Sequence, residues 1–171
     1  MDYVLFTVRT AVAMVFAIAV IAKLGGRDAF SQFTASLASF GLPAHAGVAA
    51  AVVATEAASV VLLALAPHLG GAIAAILLCG FAAGIDAAIH AGATVRCRCF
   101  GATSAALGPA HVIRNLVLAV GSLGVALGPA RGVDGDPGVV AAIVVGLAAG
   151  AAIARWDDLR FLFAPAPRSF R

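Results

Sequence analysis

Two cysteines one residue apart, Cys97-Arg98-Cys99, carry the most reactive chemistry in this sequence. Cysteines at this spacing close a disulfide ring only if the backbone brings their α-carbons within roughly 4.4–6.8 Å, so the ring is expected to be strained and readily reduced. Arg96 and Arg98 place positive charge beside the sulfurs, which favours thiolate, the species that attacks another disulfide. Gly101, after Phe100, gives the chain freedom to turn back. The third cysteine, Cys79, stands inside an apolar run, where a thiol acts as a small hydrophobe. Three cysteines are too few for a disulfide scaffold, and their spacing matches no four-ligand zinc site.

Ionisable residues inside apolar runs form the second group of candidates, because charge in hydrocarbon is expensive unless it is paired or used. Glu56 sits near the middle of one such run and is expected to face its neighbours, to be protonated, or to pair with a cation such as Arg114. Asp86 and His90 are four apart, so a helix puts them on one face leading toward the cysteines, where they would relay a proton or neutralise each other. Arg9 and Lys23 lie near run ends, where long basic chains commonly snorkel to the interface.

These residues are positioned by runs that water cannot solvate. Of 171 residues, 63% are hydrophobic and 11% charged, with a mean hydropathy of +1.06, against about 25% charged in an ordinary soluble domain. A soluble globule of this composition would expose large apolar patches. The formal net charge of +3 does not signal nucleic acid, since the basic residues stand singly between apolar blocks and form no stripe. The partner implied is a lipid bilayer.

About 20 apolar residues are needed to span hydrocarbon. Residues 3–24, 44–66, 70–93, 110–127 and 138–154 meet that requirement, the last two being shorter and rich in Ala and Gly. The first run begins with Met1-Asp2, lacks a basic leader and continues into Lys23, so it reads as a retained helix. Between the first two spans, Phe30, Phe33, Leu37 and Phe40 recur at helical spacing among polar residues, predicting an interfacial amphipathic helix that Asp28 caps and Gly41-Leu42-Pro43 ends. With spans alternating in direction, this helix shares a membrane face with the cysteines. Residues 129–137 read as a solvated loop and 155–171 as a surface tail. Glycine pairs Gly80/Gly84, Gly124/Gly128 and Gly146/Gly150 predict tight bundling.

Taken together, Lys23 with the segment from Phe30 to Pro43, Glu56, Cys97-x-Cys99-Phe100-Gly101 and Arg114-Asn115 resemble the MauE family of methylamine-utilisation proteins and their DoxX-related relatives, described as redox-associated membrane proteins. The resemblance covers roughly residues 3–128. It implies an all-α integral membrane domain: a four-helix transmembrane bundle of DoxX/MauE type, to which this chain adds a fifth transmembrane helix and the interfacial helix. It also implies thiol-disulfide exchange by Cys97 and Cys99 with a thioredoxin-fold protein or an exported thiol protein, in the bacterial cytoplasmic membrane. Lys23, Glu56, Asp86, His90, Arg96, Arg98, Arg114 and Asn115 would tune the thiols, move protons or hold an electron acceptor. No cofactor is required by the residues themselves; a quinone is the candidate acceptor. Two other readings stay open. One is a soft-metal protein holding or transporting copper, zinc or mercury through Cys97, Cys99 and His90. The other is an accessory subunit of a membrane complex.

Orientation divides the two lines of argument. With five spans, Lys23, Arg27, Arg96, Arg98, Arg155, Arg160, Arg168 and Arg171 share one face, eight of the 11 basic residues. The positive-inside rule puts that face in the cytoplasm. A role in maturing exported proteins puts it outside, and the expectation adopted is outside, with Arg96 and Arg98 retained for thiol chemistry.

Overall fold

The computed structural model describes residues 2–92, 108–129 and 136–156. They form α1 (Asp2–Leu24), α2 (Arg27–Ser36) continued by a 3-10 turn (Leu37–Phe40), α3 (Ala46–Leu65), α4 (Pro67–His90), α5 (Pro109–Leu127) and α6 (Pro137–Ala154). All but α2 are long and apolar enough to cross a membrane, and they correspond to the five predicted spans. Only 28–33% of each span is buried against protein, and residues such as Ile21, Val61, Ile76, Val120 and Val144 face outward. That distribution suits a solvent of lipid tails.

The boundaries follow local chemistry. Proline opens α4, α5 and α6, where its missing N–H is no loss and its fixed φ suits a first turn. This moves the start of α4 to Pro67, three residues before the predicted 70, because the turn after α3 is the single residue Ala66. His45 caps α3, its Nδ1 accepting from the Val48 N–H at 3.4 Å. Asp136 caps α6 by accepting from the Gly138 N–H at 2.9 Å. Asp28 does not cap α2 as expected: Gly26 holds that position without a side-chain bond, and Asp28 lies in the first turn, where its charge complements the helix dipole. Gly41, at φ 72°, closes the 3-10 turn in the left-handed conformation that favours glycine.

α1, α3, α4 and α5 form an up-and-down four-helix bundle in which sequential neighbours are antiparallel. α1 packs on α3 and α5, and α4 packs on α3 and α5. The core gathers Val12, Val15 and Phe16 from α1, Leu63 from α3, Ala74 and Leu78 from α4, and Leu118, Ala119 and Val125 from α5. At the end where α1 begins, side chains satisfy carbonyls that helix termini leave open. Arg9 Nη2 donates to Ala64 O at 2.7 Å, and His68 Nδ1 bonds Ala126 O at 2.9 Å. Arg9 therefore does not merely snorkel.

At the opposite end α2 and its 3-10 turn fold over α1, α3 and α4. Phe33 and Leu37 are buried there against Ala49 and Val53, and Phe40 lies over Gly84. The amphipathic segment is thus a cover for one end of the bundle.

α6 packs along α1 in parallel. Its register follows from Gly138 beside Tyr3, Gly146 beside Thr7 and Thr10, and Gly150 beside Ala11. Tyr3 Oη donates to Asp136 at 2.5 Å and ties the two helix starts together. Of the three glycine pairs, only Gly146/Gly150 lets two backbones approach: a Cβ at either would lie 2.5 Å from a carbonyl oxygen of α1. Gly124 and Gly128 meet the side chain of Leu5, Gly84 meets Phe40, and Gly80 meets nothing within 4 Å among the described residues.

Two outcomes are expected. Reporter fusions at the two termini should indicate opposite sides of the membrane, as five crossings require; reporters on the same side would mean that α6 does not cross. Gly146→Leu should displace α6 from α1 at a cost of about 1–3 kcal/mol, read as a lowered Tm in lipid, whereas Gly80→Ala should not lower Tm.

Candidate functional site

The charged centre of the bundle is built from α1 and α3. Glu56 lies on the buried stripe of α3 with Ala49, Val53, Ser59 and Leu63. Lys23 stands in the last turn of α1, and because helical side chains lean toward their own N-terminus, it extends down into the bundle rather than out past Leu24. Its Nζ donates to both Glu56 oxygens, at 2.6 and 2.8 Å. Exposure is 1% for Lys23 and 0% for Glu56, so neither charge has water to fall back on. Lys23 does not snorkel, and the partner of Glu56 is Lys23 and not Arg114; the α1–α3 contact supplies a cation that chain position alone does not reveal.

Two aromatic rings complete the cage. Lys23 Nζ lies 4.9 Å from the Phe33 ring centroid and 5.7 Å from that of Phe81. A ring face carries negative quadrupole density, so both rings favour the ammonium while excluding solvent. Phe33 belongs to α2, which makes the cover part of the ion-pair site. Neither ring was a sequence candidate. Phe33 was legible as one apolar position of an amphipathic helix, and its contact with a buried cation was not.

The remaining candidates separate. Asp86 and His90 do share a face at the α2 end of α4: His90 Nδ1 is 2.9 Å from Asp86 O and 3.5 Å from its carboxylate. With side chains 56% and 76% exposed, they stand outside the bundle interior that holds the Lys23–Glu56 pair. On α5, Arg114 is half-buried and Asn115 is 0% exposed. Asn115 joins His111, Leu118, Ser122 and Val125 on the stripe of α5 that faces the bundle. Cys79 is exposed on α4, in keeping with a small apolar residue toward lipid. Arg96, Cys97, Arg98 and Cys99 lie outside the described residues. Their place in the chain is between the end of α4 and the start of α5, both at the end of the bundle that α2 covers. Among the described residues no three His, Cys, Asp or Glu side chains gather into a metal site.

A bundle of apolar helices, each long enough to cross a membrane with about a third of its span buried inside the protein, closed around a neutralised charge pair, defines a multi-pass helical membrane protein. Residues 1–128 match the family described as Methylamine utilisation protein MauE, and the chain belongs to that family. The match takes in α1 through α5, the cover, the ion pair and the cysteine segment, and stops before α6. Neither curated proteins nor solved structures gave a match.

Removing one member of the pair strands the other charge in a dry interior. Glu56→Leu or Lys23→Met alone should destabilise the protein by about 3–5 kcal/mol. The double variant, Lys23→Met with Glu56→Leu, should regain most of that loss. Thermal unfolding in nanodiscs measures both, and a double variant no more stable than the singles would show that the pairing is not what stabilises this region.

Proposed function

We propose that this protein is a membrane thiol-disulfide oxidoreductase in which Cys97 and Cys99 cycle between dithiol and disulfide. The observation that carries the reading is the Cys97-Arg98-Cys99-Phe100-Gly101 element inside the family-matched region. It falls in the chain between α4 and α5, whose joined ends lie where α2 closes the bundle. The reading requires that a soluble partner reach the pair from that edge of the membrane.

In the oxidising direction for this chain, one cysteine thiolate attacks a sulfur of the partner's disulfide. The partner's S–S bond breaks, a mixed disulfide forms, and the partner's other sulfur leaves as a thiolate that takes a proton from water. The second cysteine then attacks its neighbour's sulfur in the mixed disulfide and expels the partner's remaining thiolate. The partner gains two electrons and this chain holds a Cys97–Cys99 disulfide. The reverse sequence oxidises a dithiol partner. Arg96 and Arg98 support the attacking thiolate by charge. The partner class is a thioredoxin-fold protein or an exported thiol protein at the bacterial cytoplasmic membrane. In that reverse direction this chain is left as the Cys97–Cys99 dithiol, from which a second disulfide or a quinone would take the two electrons onward.

The ion pair enters this chemistry as a positioning element. Lys23 and Glu56 fix the end of α1 and, through Phe33, the cover over that end of the bundle. Asp86 and His90, exposed at the end of α4, would exchange protons with solvent in this chemistry.

Cys97→Ser and Cys99→Ser should each abolish exchange with a thioredoxin-like protein, and one of the two should accumulate a mixed disulfide that mass spectrometry identifies. The wild type should titrate as a two-electron couple between roughly −320 and −120 mV. Should the pair not oxidise anywhere in that range, the oxidoreductase reading fails; stoichiometric binding of copper(I), zinc or mercury lost in both serine variants, with no covalent adduct, would put the soft-metal reading in its place.

A further inference from the structure

Asn115 has no exposed surface, and neither its Nδ2 nor its Oδ1 meets a hydrogen-bond partner among the described residues. The other uncharged polar groups buried beside the core do not share this condition. Ser59 Oγ donates to Thr55 O and Ser122 Oγ to Leu118 O, both at 2.8 Å, so each hydroxyl is satisfied by its own helix. A carboxamide offers two donors and an acceptor, and none of the three is met among the described residues. In a bundle surrounded by lipid tails an unmet carboxamide is among the costliest uncharged groups to bury, and an apolar residue of the same size would fill the position without that penalty.

The packing register gives the location. Along α4 and α5, Gly71 lies against Ser122 and His68 against Ala126, which sets Asn115 beside the Leu78–Ala82 turn of α4. Along α1 and α5, Val8 lies against Gly121 and Leu5 against Gly124, which sets it near Phe16. Arg9 against Ala64 and Leu63 against Gly70 place Glu56 within about one helical turn of the same depth. Asn115 and Glu56 therefore lie at similar depth in the bundle. The Lys23–Glu56 pair occupies the groove between α1, α3 and α4, and Asn115 the groove between α1, α4 and α5. One turn nearer the cysteine segment on the same stripe lies His111, whose Nδ1 accepts from the Gly108 N–H at 3.2 Å; in the neutral ring its proton is then on Nε2.

We propose that Asn115 holds an internal water molecule in the α1–α4–α5 groove. Water matches the carboxamide because it both donates and accepts, and because a fully enclosed side chain leaves room only for a small solute. Asn115 is then a water-positioning residue that keeps a proton-exchangeable group at the depth of Glu56. The inference concerns hydration and stands apart from the thiol chemistry.

The sequence supplies its own control. Asn115 is the single Asn and Gln32 the single Gln of the chain, so a 15N spectrum in nanodiscs contains two side-chain carboxamides. Gln32 is exposed. Water-edited magnetisation transfer should reach the Asn115 NH2 group at a rate within a few-fold of Gln32, and much faster than the backbone amides of Phe16 and Leu78 in the dry core. The same result is expected in a Cys97→Ser, Cys99→Ser chain, so that hydration is read whether or not the thiols are redox-active. Transfer at Asn115 no faster than at Phe16 and Leu78, or arriving from lipid acyl protons instead, would overturn the proposal.

Discussion

Hydrocarbon offers no counter-charge, so a carboxylate placed at the middle of a spanning helix must find its partner within the protein. Glu56 finds Lys23, and much of the architecture at one end of the bundle follows from that requirement. The ammonium has to come from the end of a neighbouring helix, pointing inward, which sets how α1 lies against α3. Once there, it must also be kept from water, and the rings of Phe33 and Phe81 close over it. A buried ion pair is weak evidence for stability in itself, because desolvation offsets much of the attraction. Here its effect is on geometry: it commits α1, α3 and the cover to one arrangement.

The second constraint is that lipid tails are as apolar as leucine, so helices associate in a membrane through close packing and hydrogen bonds rather than hydrophobic burial. The α1–α6 contact obeys this rule, with Gly146 and Gly150 set against the α1 backbone and Tyr3 bonded to Asp136. α1 is consequently shared. One side contributes Val12, Val15 and Phe16 to the four-helix core, and another carries α6, the element that lies beyond the family match. A fifth crossing reverses the side on which the C-terminus emerges without disturbing the bundle that holds the ion pair.

Function, on the reading proposed, is assembled at the covered end. The chain between α4 and α5 carries the thiols, α2 and its 3-10 turn lie against α1, α3 and α4 at that end, and the ion pair fixes the cover from beneath. Phe40 resting on Gly84 is a second anchor, this time to α4, the helix that leads into the cysteine segment.

The sequence by itself determined that the chain lives in lipid, where its five spans run, that Phe30 to Phe40 form an amphipathic helix, and that Glu56 needs a partner. These depend on composition, on apolar run length and on helical period, all of which are local. It also marked Cys97 and Cys99 by spacing and flanking charge. Tertiary structure alone decided that the partner of Glu56 is Lys23, because a residue 33 positions away becomes a neighbour only through the antiparallel packing of α1 on α3. It decided that Asp86 and His90 face outward although they share a helical face, since period tells which residues align and not which side meets protein. It singled out one glycine pair from three, because a small residue matters only where another backbone arrives. And it left Asn115 enclosed without a hydrogen-bond partner among the described residues: burial and hydrogen bonding are properties of the assembled bundle, to which the pair Arg114-Asn115, as a stretch of sequence, gives no access.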